Sequence, residues 1–289
     1  LSGLVLNVLA GGLLMGVVYA LIASGLTIIF GVMRIVNFAH GEMVVAGMYV
    51  GYLLQQYAGL PLFAAAAVAA AAMFVAGYLL QRLLINRFIA RPQHVQFILF
   101  IALALIITGL HLVLFGPDSR SVFSAAGFAT VEIGPLRLDL SRVEASAAAA
   151  VILVALMLFL RLSDTGQAIR AAADNRLGGL AIGLRIPQIF AITAGLGIAC
   201  AGAAGALVSP LFDTQPFLAV DFTLAAFIIV IIGGLGSLPG ALIGGILIGL
   251  SEAVAALVFD PAMKSMVSYA LLIAVILLRP QGLFGEKAA

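Results

Sequence analysis

Two acids read as lying inside apolar runs, Glu42 and Glu252, are the first candidates for chemistry in this chain. An ionisable group in such a run must face other protein or water. Glu42 closes the string Gly31-Val32-Met33-Arg34-Ile35-Val36-Asn37-Phe38-Ala39-His40-Gly41-Glu42, which sets Arg, Asn, His and Glu between two strongly apolar stretches. Asn37, His40, Gly41 and Glu42 there could form a polar hinge beside a solute path. Glu42 also opens an apolar helix, where the positive end of the helix dipole favours a carboxylate, so a capping role stands beside the functional one. His40 and Glu42 supply two ligands, too few for a metal site. Glu252, in Gly249-Leu250-Ser251-Glu252, is a candidate for the path or gate and reads equally as an interhelical hydrogen-bond partner, since a proton relay would need a chain of such groups. His111 and Tyr269 read as packed or interfacial side chains.

A second interruption, Gly233-Gly234-Leu235-Gly236-Ser237-Leu238-Pro239-Gly240, lies in the other half of the chain. Its proline lacks an N–H and its glycines permit turns that a helix resists. Irregular backbone between apolar helices survives only where protein or a water-lined cavity covers it, so Gly233, Gly234 and Gly236 join the candidate path or gate. One such break in each half is what a transporter of two related halves would carry, although no residue-level repeat is evident.

The elements that hold these residues follow from composition. Of 289 residues 64% are hydrophobic and 9% charged, against about 25% charged in soluble domains, so the chain cannot cover a water-facing surface. A net charge of +2 gives no reason to expect nucleic acid. The single cysteine, Cys200, excludes an intrachain disulfide and reads as a small core hydrophobe. The first apolar stretch outruns a signal-peptide core, so no cleavable signal is expected.

About 20 apolar residues cross a bilayer, and apolar runs fall at 4–32, 42–57, 61–81, 95–115, 143–161, 188–209, 218–233, 240–259 and 264–279. The expected fold is therefore all-α: one domain over 1–289, a polytopic transmembrane bundle of about eight to nine spans with discontinuous or re-entrant helices. The first run is too long for one straight crossing, and the second and seventh are short. Arg82, Arg87 and Arg91 in one connection, and Arg161, Arg170, Arg176 and Arg185 in another, place both on the cytoplasmic side, together with Arg279 and Lys287. The 116–142 connection, with Arg120, Arg137 and Arg142 balanced by Asp118, Glu132 and Asp139, becomes an extracytoplasmic hairpin, and the N-terminus is external. Small-residue runs such as 64–72 and 199–206 favour close helix packing.

The 162–187 connection differs in kind. A short Ala-rich helix over Gln167–Asn175, ended or bent by Gly178-Gly179, followed by a new span, has the shape of a segment that docks into another protein.

Three stretches resemble the permeases of branched-chain amino-acid-type ABC importers, of the LivH kind: Tyr19–Thr27 leading into Ile35–Glu42, Arg170 through Asp174 and Asn175 to Gly183, and Gly249–Glu252 with Leu278–Gly285. The resemblance implies a non-catalytic permease subunit in the inner membrane that carries amino acids or related small polar solutes. It implies a second permease subunit (LivM-like or identical), two cytoplasmic ATPase subunits that hold ATP and Mg, and an extracytoplasmic solute-binding protein. It also implies ATPase coupling through Arg170, Asp174, Asn175 and Gly183. The chain has no G-x-x-x-x-G-K-[ST] loop, so ATP would be hydrolysed in a partner, and no cofactor is expected here. The rival reading is an autonomous secondary transporter or channel, which calls for an ion-coupling cluster or pore ring where Glu42 and Glu252 alone are found. An intramembrane enzyme finds no metal triad, Ser/Lys dyad or paired-Asp constellation.

Overall fold

Uninterrupted apolar runs bounded by prolines and capping residues become helices throughout the computed structural model, which describes residues 2–122, 129–134, 136–259 and 263–285. Lys287, and 123–128 and 135 of the expected 116–142 loop, lie outside the described residues. Among the described residues there are eleven α-helices: α1 Ser2–Met33, α2 His40–Gln56, α3 Leu62–Leu83, α4 Gln93–Phe115, α5 Leu140–Leu162, α6 Asp164–Asp174, α7 Arg176–Ala181, α8 Ile186–Val208, α9 Leu218–Gly233, α10 Leu238–Val258 and α11 Lys264–Leu278. Strands β1 Thr130–Ile133 and β2 Leu136–Asp139 form an antiparallel hairpin. Six helices are long and apolar enough to cross a membrane, and α9 and α11 are shorter apolar helices. Helix α2, read from sequence as a further span, has 17 residues and begins on polar side chains.

Several helix starts are explained locally. Ser163, Asn175 and Ser237 cap α6, α7 and α10, each side-chain oxygen accepting from a backbone N–H three residues on. Pro187 and Pro239 sit in first turns, where a missing N–H is harmless. One sequence expectation fails here. Gly178-Gly179 does not end the Ala-rich helix; α6 stops at Asp174 because Asn175 turns extended (φ −144°, ψ 99°) to cap α7, and the glycine pair lies inside α7.

Small residues set which helices touch. Gly12 and Gly16 of α1 abut Gly249 and Gly245 of α10, while Ala69, Met73 and Gly77 of α3 abut Gly202, Ile198 and Ala194 of α8. Both pairs are antiparallel, since each number rises as its partner's falls. Helix α2 lies along α8 through Gly47 and Gly51 against Gly202 and Ala206, and Gly25 crosses Gly197 near the middle of α8. Backbones this close gain dispersion along the whole seam, which is what holds helices together in lipid. The interior thus goes to α1, α2 and α8. Of the most apolar window of α8, 83% is buried against 17% for α4, whose outer face carries Ile98, Leu105, Ile106 and Val113.

The two ends of the bundle are distinct. At one end Asn7 accepts from the Arg137 N–H of the hairpin, and Arg120 pairs with Thr214 just beyond α8. At the other, Asn86 donates to the Pro187 carbonyl, joining the two arginine-rich connections. The order of α1–α4 (long helix, short helix, two further helices) recurs in α8–α11, with α1 on α10 matched by α8 on α3. The directions are inverted, because α1 leaves the hairpin end and α8 runs toward it. This is the internal relation that the paired breaks implied.

Candidate functional site

The first break is a return of the chain into the bundle. The 32 residues of α1 extend about 48 Å, and Arg34 stops the helix in the left-handed region (φ 56°). Residues 35–38 then run back outside the hydrogen-bond ladder of either helix until Asn37 Oδ1 accepts from the Ala39 N–H (3.0 Å) and turns the chain into α2. His40 is fully buried; its Nε2 donates to the Ile22 carbonyl (2.8 Å), so that nitrogen carries a proton, and the ring lies against Gly25. Helix α2 therefore starts level with Gly25 and Gly197, well inside the bundle.

The N-terminal turn of α2 meets that of α9. The Gly41 N–H donates to Thr223 Oγ1 (2.9 Å), and a Cβ on Gly41 would fall on the Ala219 carbonyl. Only glycine allows this approach. One half-helix thus runs from this level to the hairpin end and the other to the opposite end. Each has an acid in its first turn, Glu42 in α2 and Asp221 in α9, where a negative charge offsets the helix dipole. Glu42 is 5% exposed and its Oε2 has no hydrogen-bond partner among the described residues.

Gly233, Gly234 and Gly236 lie elsewhere, at the far end of α9. Gly234 (φ 103°) and Gly236 (φ 88°) take conformations open to glycine. The last carbonyls of α9 are satisfied by the C-terminal tail, with Leu283 N–H on Ile232 (2.8 Å) and Phe284 N–H on Gly233 (3.0 Å). The two breaks do meet: Gly31, at the end of α1, backs onto Gly236, its Cβ position 3.3 Å from the Gly236 Cα. The structure therefore does not gather the candidate path residues into one site. Asn37, His40, Gly41 and Glu42 are buried around the start of α2, where Gly41 meets α9, and the second glycine cluster lies at one end of the bundle.

Glu252 belongs to a third place. Its Oε2 accepts from Tyr19 Oη (3.0 Å) and its Oε1 from Ser268 Oγ (3.2 Å), tying α10 to α1 and α11. These groups line a cleft of about 170 Å³, to which Asp221, Ser265 and Tyr269 add polar atoms, and Phe212, Phe222, Ile228 and Ile248 an apolar wall. Sequence reasoning gave no role to Tyr19, Asp221 or Ser268. Asp221 carried a signal, an acid inside the 218–233 run, so Glu42 and Glu252 are not the whole supply of acids in the helices. Tyr19 and Ser268 lie 233 and 16 residues from Glu252 and carried none. Among the described residues no three His, Cys, Asp or Glu side chains gather as a metal site.

The 162–187 connection presents a fourth surface. Helix α6 buries Gly166, Ile169 and Ala172 against the bundle and leaves Arg170 and Asp174 exposed, with Asn175 and Gly183 also exposed. Beside them α7 and the turn after it expose Leu177 (79%), Leu180 (50%) and Ile182 (74%), an apolar addition to the expected polar contact.

A profile for the permease component of the branched-chain amino acid transport system matches residues 8–276. The chain is 30% identical to the high-affinity branched-chain amino acid transport system permease protein BraD of Pseudomonas aeruginosa, over 97% of this chain and 96% of that one. It is similar to the LivH permease proteins of Salmonella typhimurium (30%) and Escherichia coli (29%), each over 95% of this chain and 94% of the relative. No solved structure matches it.

Proposed function

We propose, starting from the fact that this chain belongs to the branched-chain amino acid transport system permease family, that it forms half of the membrane path of an ABC importer for branched-chain or related amino acids. It lies in the inner membrane as one permease domain of nine membrane helices, α2 and α9 being discontinuous half-helices. The arginine-rich connections and the Gly31–Gly236 junction face the cytoplasm, and the hairpin and N-terminus face outward. A second permease subunit, LivM-like or identical, completes the path. Two cytoplasmic ATPases bind ATP and Mg, and an external binding protein delivers the solute.

The observation that carries this reading is the docking surface on α6 and α7. It offers charged residues beside exposed leucines at the end where an ATPase would sit, on helices whose opposite face is packed into the bundle. ATPase closure there would shift the bundle between two facings through differential contacts. Asn37, His40, Gly41 and Glu42 act as the joint between the half-helices, Gly233, Gly234 and Gly236 as the cytoplasmic gate, and Glu252 as a path-lining acid. Charge reversal, Arg170→Glu or Asp174→Arg, is expected to separate ATP hydrolysis from uptake in the reconstituted complex. Uptake and stimulated hydrolysis at wild-type levels in both variants would remove the docking assignment.

A further inference from the structure

We infer that the cleft between α1, α9, α10 and α11 binds the primary ammonium of a small solute with an apolar body, held by Glu252 and Asp221. This rests on the importer reading and adds to it where the solute pauses and which end of it is gripped.

Size is the first constraint. At about 170 Å³ the cleft is close to the roughly 150 Å³ of a protein cavity that takes up benzene. It therefore admits one solute of that order.

Charge is the second. Tyr19 and Ser268 each give one hydrogen bond to a different oxygen of Glu252, which fixes the carboxylate and leaves acceptor positions open on both oxygens. Neither donor carries charge; the charge of Arg142 reaches Tyr19, but Arg142 makes no ion pair with Glu252. Asp221 adds a second acid to the lining. Among the described residues the one ion pair is Arg137–Glu132, in the hairpin, and no Arg side chain lines the cleft. Two anionic groups beside an apolar wall are expensive to keep, and a cation in the cleft offsets both. An ammonium brings three N–H donors to the open acceptor positions, whereas a solute whose one charged group is an anion is repelled. Phe222 and Ile248 then cover the aliphatic remainder.

The full chain in lipid nanodiscs tests this when it carries Ser265→Cys, which sets a thiol in the cleft lining while the native Cys200 stays buried. The rate of maleimide modification is followed with L-leucine, 3-methylbutylamine, 4-methylpentanoate or sodium chloride at equal concentration. L-leucine and 3-methylbutylamine are expected to slow modification at least tenfold, and the acid and the salt to leave it unchanged. Glu252→Gln should abolish the protection, Asp221→Asn should weaken it, and Glu252→Asp should restore part of it. No protection by either amine, equal protection by 4-methylpentanoate or sodium chloride, or protection that survives Glu252→Gln overturns the assignment. ATP-driven leucine uptake by the wild-type complex is read separately. Its absence counts against the importer reading, whereas uptake without amine protection of the thiol sinks the cleft alone.

Discussion

Helices α2 and α9 start beside one another, run to opposite ends of the bundle and carry one acid each in the first turn, yet their surroundings are opposite. Glu42 is buried, as is most of α2. Asp221 is exposed and lines the cleft with Glu252. The same dipole and the same acid thus serve packing in one half and an open, negatively charged surface in the other. Inverted halves need not share labour equally, and the second half is where a solute would meet polar groups.

The largest effect should come from closing the space that brings the two half-helices together. Gly41→Val places a branched side chain on the Ala219 carbonyl. Overpacking of a tight core costs about 1–3 kcal/mol, and here backbone must move, so little folded protein is expected in detergent by size-exclusion chromatography. A wild-type yield and melting temperature would mean that the half-helices do not touch as described.

Next comes the contrast between the acids. Removing one charge-assisted hydrogen bond costs about 1.5–3 kcal/mol, so Glu252→Gln should raise the half-saturating solute concentration for uptake about tenfold or more. Glu42→Gln, at a buried position outside the Glu252 cleft, should leave it within about twofold and lower thermal stability by about 1 kcal/mol. The reverse pattern would move the path to the first half.

A smaller change is expected at the docking surface. Leu177→Ser with Ile182→Ser removes exposed apolar area without touching the bundle. ATPase co-purification should fall several-fold while the melting temperature of the chain holds.

The smallest effect belongs to Arg34. A left-handed conformation costs a non-glycine residue about 1–2 kcal/mol, so Arg34→Gly should raise stability by about 1 kcal/mol in a denaturation series. A loss of stability would mean that the arginine side chain makes up for its backbone.

These contrasts follow the line between what was legible in the sequence and what was not. Apolar runs marked the six long apolar helices and the two shorter ones, α9 and α11, because lipid demands continuous hydrophobicity. The level at which α2 begins was hidden, since nothing local to His40 says that its partner is the Ile22 carbonyl. Asn175 could have been read as a cap, but the neighbouring Gly178-Gly179 drew the break to itself. Asp221 was masked by the apolar run that contains it. The Tyr19–Glu252–Ser268 group was illegible for a different reason: it exists only once α1 and α10 are zipped along their glycines.

The role of this chain as one of two membrane subunits of an ATP-driven importer is tested most directly in proteoliposomes. They contain the chain with its second permease subunit and ATPases, loaded inside with ATP and Mg and supplied outside with the binding protein and labelled leucine. Accumulation that needs ATP hydrolysis and is absent with the chain alone is the predicted result. Accumulation by the chain alone, driven by an ion gradient, would contradict it.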